Sequence, residues 1–136
     1  MTKFIFVELE GVLASPKNGD IGTHDAIKKY VAREEVIEII NHLSDHFEIV
    51  VFSATNEEER TAVEDFLVEN NVLTDNVLLR DEYNRGTAAN IRNKILSDFF
   101  DGNENKRFVD THSVYTNHEK LTELLLDEEY TVFQVG

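Results

Sequence analysis

The chain has 136 residues, with 27 Asp and Glu against 13 Lys and Arg, a formal charge of −14 and no cysteine. The length fits one domain over residues 1–136, and 41% hydrophobic residues with nine Phe can build a core that offsets ordering entropy. The lack of cysteine excludes a disulfide scaffold, a thiolate metal site and a cysteine nucleophile, and suits a cytoplasmic location, while the acidity disfavours nonspecific duplex nucleic acid.

The first residues, MTKFIFVELEGVL, are too short and too acidic in their apolar run for a signal peptide or a membrane span, and no later run approaches 18 apolar residues, so no membrane partner is expected. Residues 3–9 (KFIFVEL) form a nearly continuous apolar run, the pattern of a strand buried on both faces of a parallel sheet. Residues 11–24 (GVLASPKNGDIGTH) hold the only Pro and three of the six Gly and read as a loop. A helical period follows in Val36, Ile37, Ile40 and Leu43, and then a second strand at 47–52 (FEIVVF).

Asn56 and Glu59 have the spacing of a capping box, opening a helix carried by Val63, Phe66 and Leu67. A third strand is predicted at 76–79 (NVLL), and Thr87 caps a helix with Ile91, Ile95 and Phe99 on its apolar face. After a loop at 101–105 (DGNEN) come a fourth strand at 107–109 (RFV), a helix through Leu121, Leu124 and Leu125 that Thr116 and Glu119 would cap, and a fifth strand at 130–135 (YTVFQV). The alternation predicts an α/β fold: a three-layer α/β/α sandwich, Rossmann-like, with a five-stranded parallel sheet and no cap domain.

Ligands of such sheets bind beyond the carboxyl ends of the strands. Glu8 and Glu10 follow the first strand, Ser53, Ala54 and Thr55 the second, and Asp110 and Thr111 the fourth, with Arg92 and Lys94 on the preceding helix. Carboxylates, a hydroxyl and a cation converging on one rim suit a phosphate held with a divalent cation. His112 and His118 near Asp110 raise a transition-metal site, for which no third ligand is marked. A response-regulator receiver would share the sheet, but it needs a Lys after the fifth strand, and the sequence there ends in Gly136.

On these residues the chain resembles the haloacid dehalogenase superfamily of phosphohydrolases, in particular the compact polynucleotide kinase 3′-phosphatase type. FVELEGVLA is similar to the first motif, hhhDxDGTLA, and places Glu8 at the nucleophile and Glu10 at the general acid; EIVVFSATN is similar to the second, with the Ser53 hydroxyl and the Ala54 amide on phosphate. RGTAANIRNKIL is similar to the third and makes Arg92, or next Lys94, the phosphate-binding cation; KRFVDTHSVYTNHEKL is similar to the fourth, with Asp110 joining Glu8 and Glu10 around Mg2+.

Two family Asp positions hold Glu here, and a Glu carries its carboxylate more than about 1 Å further, a misplacement that can cost around 100-fold in rate. The resemblance therefore implies a protein that binds Mg2+ and a phosphate ester, as a small molecule or nucleotide, but is weak or inactive as a phosphatase. Two alternatives stand beside it: an active Mg2+-dependent phosphomonoesterase acting on nucleotide or nucleic-acid terminal phosphates, and an acidic interaction protein with a protein partner, or nucleic-acid mimic.

Overall fold

The computed structural model describes residues 4–101, 112–127 and 131–135. Its main sheet has five strands, β1 (Phe4–Glu8), β4 (Glu48–Asn56), β5 (Asn76–Arg80), β6 (His112–Thr116) and β7 (Thr131–Gln134), in the order β5-β4-β1-β6-β7. Every pairing in it is parallel. Among the described residues the helices are α1 (His24–Lys28), α2 (Glu34–Leu43), α3 (Arg60–Glu69), α4 (Ala88–Asp101) and α5 (Glu119–Asp127). A two-residue pair, β2 (Ala14–Ser15) antiparallel to β3 (Val31–Ala32), ties down the segment expected as plain loop.

Strand β1 is buried along its whole length because the sheet is covered on both faces. Ile5 and Val7 point to α1, α2 and α3, where they meet Ile27, Ile40, Val63 and Leu67; Phe4 and Phe6 point the other way, to Leu96 of α4 and Leu121 and Leu125 of α5. Phe99 of α4 meets Phe4 and Phe6 edge-on, with ring centroids 5.5 and 5.7 Å away. Each fully buried Phe contributes about 1.5–3 kcal/mol, so this contact fixes α4 firmly over the face of β1. The period of two then places Glu8 on the side of Phe4 and Phe6, under α4.

The structure places a strand at β6, which the sequence pattern does not predict. The strand beside β1 is β6, with Phe4 paired to His112 and Val7 to Tyr115. The run at 107–109 and the residues Asp110 and Thr111 lie outside the described residues. The chain passes from β1 outward to β4 and β5 and returns across the sheet to β6, so its direction switches between β1 and β6. That crevice is where an open parallel sheet presents ligands.

Helix starts differ too. A 3₁₀ turn (Glu57–Glu59) precedes α3, and Asn56 makes no side-chain cap to it. Thr87 does cap α4, accepting from the Asn90 amide at 3.3 Å. At α5 the cap is His118, whose Nδ1 accepts from the Leu121 amide at 3.2 Å. That bond gives His118 a local structural role.

Candidate active site

Glu8 ends β1 and is 1% exposed. Its Oε2 accepts from Arg92 Nε at 2.5 Å, and its Oε1 accepts from the Thr116 hydroxyl. Arg92 reaches it from the first turns of α4, where Ile91, Ile95 and Leu96 are buried, and its Nη1 also donates to the Ala88 carbonyl at 2.9 Å. Thr116 is fully buried at the carboxyl end of β6, and its hydroxyl oxygen accepts from the His118 amide at 3.0 Å.

Glu10 lies just beyond the strand and forms a second centre. Ser53 donates to its Oε1 at 2.7 Å, Tyr30 to Oε2 at 3.0 Å and Thr55 to Oε2 at 3.3 Å. Ser53 in turn accepts from the Thr55 amide, and the Tyr30 oxygen accepts from the Gly22 amide, each at 3.0 Å. Burial raises the Glu10 carboxyl above its usual range; the bonds from Ser53 and Tyr30 oppose that rise, and the nearby Glu8 charge adds to it. Burial and the adjacent Glu10 likewise raise the Tyr30 hydroxyl.

The structure thus gathers Glu8, Glu10, Ser53 and Arg92 at one sheet edge, as the sequence implies, but joins them to one another. Ser53 is fully buried and its proton is committed to Glu10. Ala54 packs its side chain against the core cluster beneath α4 and α5. Lys94 is turned away from Glu8 and holds Asp98 one helical turn on at 2.9 Å, so Arg92 is the cation of this site.

Asp110 lies outside the described residues; the carboxyl end of β6 carries Thr116, followed by Asn117 and His118. Thr116 and Tyr30 are site residues that the motif reading missed. The sequence marked Thr116 only as a helix cap; Tyr30 carried no signal, being 20 residues from its partner.

A divalent cation fits this donor set poorly. Magnesium wants oxygen ligands in near-octahedral array at about 2.0–2.1 Å, yet both Glu8 oxygens already accept protein hydrogen bonds and a guanidinium sits on one of them. Among the described residues, no group of three or more His, Asp and Glu could hold a metal ion.

Gly11, which follows Glu10, has φ of +92°, and its carbonyl accepts from Arg33 Nη1 at 2.8 Å. An added Cβ there would fall 2.2 Å from Asn117 Nδ2. Asn117 is exposed and can swing aside, so Gly11→Ala should lose about 1–2 kcal/mol through the backbone conformation itself. Urea denaturation of Gly11→Ala, alone and with Asn117→Gly, checks this: full rescue by the second change would move the cost to the side-chain clash.

Comparison with known proteins agrees with this architecture. The NLI interacting factor-like phosphatase family matches over residues 7–124. A comparison with curated proteins found no match. Among solved structures, a chain of the Pnkp1/Rnl/Hen1 complex is similar with TM-score 0.84 at 18% identity, covering 99% of this chain and 46% of that one. A chain of the Pnkp1/Rnl/Hen1 RNA repair complex gives 0.81 at 18%, covering 98% and 42%, so this chain spans less than half the length of either. The D,D-heptose 1.7-bisphosphate phosphatase from B. bronchiseptica, complexed with magnesium and phosphate, gives 0.59 at 12%, covering 97% and 92%.

Proposed function

Taking as premise that the chain belongs to the NLI interacting factor-like phosphatase family and has its haloacid dehalogenase-like fold, we propose that it works by binding, with phosphate-ester hydrolysis weak or lost. One observation carries the reading: the side chains placed for phosphoryl transfer satisfy each other, Glu8 through Arg92 and Thr116, and Glu10 through Ser53, Tyr30 and Thr55. A nucleophile needs an approach to phosphorus within about 3–3.5 Å. Glu8, 1% exposed and held at both oxygens, has to break a buried ion pair first.

The partner class that suits a binding role is a protein. A formal charge of −14 repels nucleic acid, while the solved neighbours at TM-score 0.84 and 0.81 come from a multi-protein complex, one described as handling RNA repair. A phosphate ester remains the small-molecule class that Arg92 and the Ser53–Ala54 stretch of β4 would recognise if the carboxylates parted.

A second reading, an active phosphomonoesterase, rests on Glu10, whose raised proton affinity suits a general acid. The test is turnover of p-nitrophenyl phosphate and of 3′- and 5′-phosphorylated oligonucleotides, with MgCl2 and with EDTA, by wild type and Glu8→Ala. The expected result is turnover differing by less than about tenfold between the two proteins. A loss of about 100-fold or more in Glu8→Ala would establish Glu8 as a working nucleophile and overturn the binding reading.

A further inference from the structure

We infer that Arg92 is the resident cation of this site and that Thr116 keeps a divalent cation out, so the fold is complete without metal. The inference rests on the same closed site as the reading above, but it concerns what neutralises Glu8, whether or not any ester is hydrolysed.

Three observations carry it. The Glu8–Arg92 pair is buried on both sides, the side chains being 2% and 13% exposed, and its single negative charge is balanced one to one by the guanidinium 2.5 Å away. The other Glu8 oxygen accepts from Thr116, whose hydroxyl oxygen also accepts the His118 amide, so this hydroxyl is fixed at both ends. Glu10, the nearest other carboxylate in sequence, is taken up by three hydroxyl donors. A divalent ion brought to Glu8 would meet the guanidinium charge in a place with little water to screen it. It would also displace a bidentate-capable cation already at contact.

Thr116 is the position at which this could have gone otherwise. A carboxylate there would face Glu8 directly, and two adjacent carboxylates favour a shared cation by mutual repulsion in its absence. With Thr, the same place supplies a proton to Glu8 and adds no charge.

The experiment uses the whole chain and Mn2+ as probe, read by electron paramagnetic resonance, with Mg2+ melting curves beside it. Wild type should show no Mn2+ site tighter than about 1 mM that Glu8→Gln removes, and its melting temperature should respond to MgCl2 as it does to NaCl of matched ionic strength, since screening alone acts on its surface charge. Thr116→Asp should melt lower in EDTA and rise by several degrees with Mn2+, by mass action on the new site.

A Mn2+ site in wild type that Glu8→Gln abolishes overturns the inference; one that persists in Glu8→Gln lies elsewhere and leaves Arg92 as the ion of Glu8. A folded Thr116→Asp without a Mn2+-dependent rise refutes the role given to Thr116. If Thr116→Asp does not fold, the wild-type resonance titration decides alone. Glu8-dependent turnover that persists in EDTA would sink the binding reading and leave this inference standing, whereas an inactive protein with a Glu8-dependent Mn2+ site would do the reverse.

Discussion

Arg92→Ala should be the most damaging single change at the site, lowering stability by about 3–5 kcal/mol. The guanidinium contributes little as a net attraction, because removing both ions from water costs much of what their contact returns. Its removal is another matter. Glu8 is 1% exposed and would be left as a buried carboxylate with only the Thr116 hydroxyl as partner. For a domain of this size, the loss corresponds to a fall in melting temperature on the order of 10 °C or more. Arg92→Lys should recover part of it, since a lysine keeps the charge but not the planar fork. Glu8→Leu combined with Arg92→Met should come within about 1–2 kcal/mol of wild type, because a well-packed apolar pair can replace a buried ion pair at little cost. Thermal and urea denaturation of the three proteins gives the answer. If Arg92→Ala is as stable as wild type, the pair is open to solvent, and the closed site fails with it.

How much of this could be read from the sequence follows from what each residue announces locally. KFIFVEL and FEIVVF are apolar on both sheet faces, and β1 and β4 are accordingly buried from end to end or nearly so. That fixed the places of Glu8 and Ser53, since both follow such runs in the chain. Strand β6 has no such run. In HSVYT, Val114 joins the core shared with α4 and α5, while Tyr115 stacks on Phe133 at 4.8 Å on the other side. The more apolar RFV carries the fourth-strand expectation and Asp110 the metal expectation, and both lie outside the described residues. Thr116 was visible only as a helix cap, and its contact with Glu8 spans 108 residues.

Tyr30 was hidden for a related reason. It follows α1, a five-residue helix inside the stretch that Pro and Gly mark as loop, although Thr23 caps that helix through the Ala26 amide at 3.1 Å. A cap without an apolar period behind it carries little signal. Arg92 and Lys94 could be separated only by geometry: both flank Asn93 on α4, and it is the packing of Phe99 on Phe4 and Phe6 that turns one toward Glu8 and leaves the other on the outer face with Asp98.

Glu10→Gln should stabilise the protein increasingly as the pH rises from about 5 to 9. The Glu10 carboxyl is raised in the folded state, chiefly by burial, above an unfolded value of 4.5. Across the interval between the two values, the folded protein therefore binds more protons at Glu10 than the unfolded chain does. Stability then falls as pH rises, because the slope of the unfolding free energy follows protons bound by the unfolded chain minus protons bound by the folded one. This contribution is complete below the unfolded value and is lost as the pH passes upward through the folded value. Gln has no proton to lose; its carbonyl oxygen can stand at Oε2 and keep accepting from Tyr30 and Thr55, while its amide group stands at Oε1 and donates to Ser53 once that hydroxyl turns. The relevant quantity is the difference in urea midpoint between Glu10→Gln and wild type, because the repulsion among the other 26 carboxylates is common to both proteins and cancels. Stopping at pH 9 keeps Tyr30, whose hydroxyl is raised above 10, out of the titration. The gap should widen in favour of Gln with increasing pH and then level off. A gap that is constant, or that narrows, would mean that the three hydroxyls hold Glu10 ionised as well in the fold as water does in the unfolded chain, and Glu10 would then be an ordinary buried carboxylate with no proton to offer a leaving group.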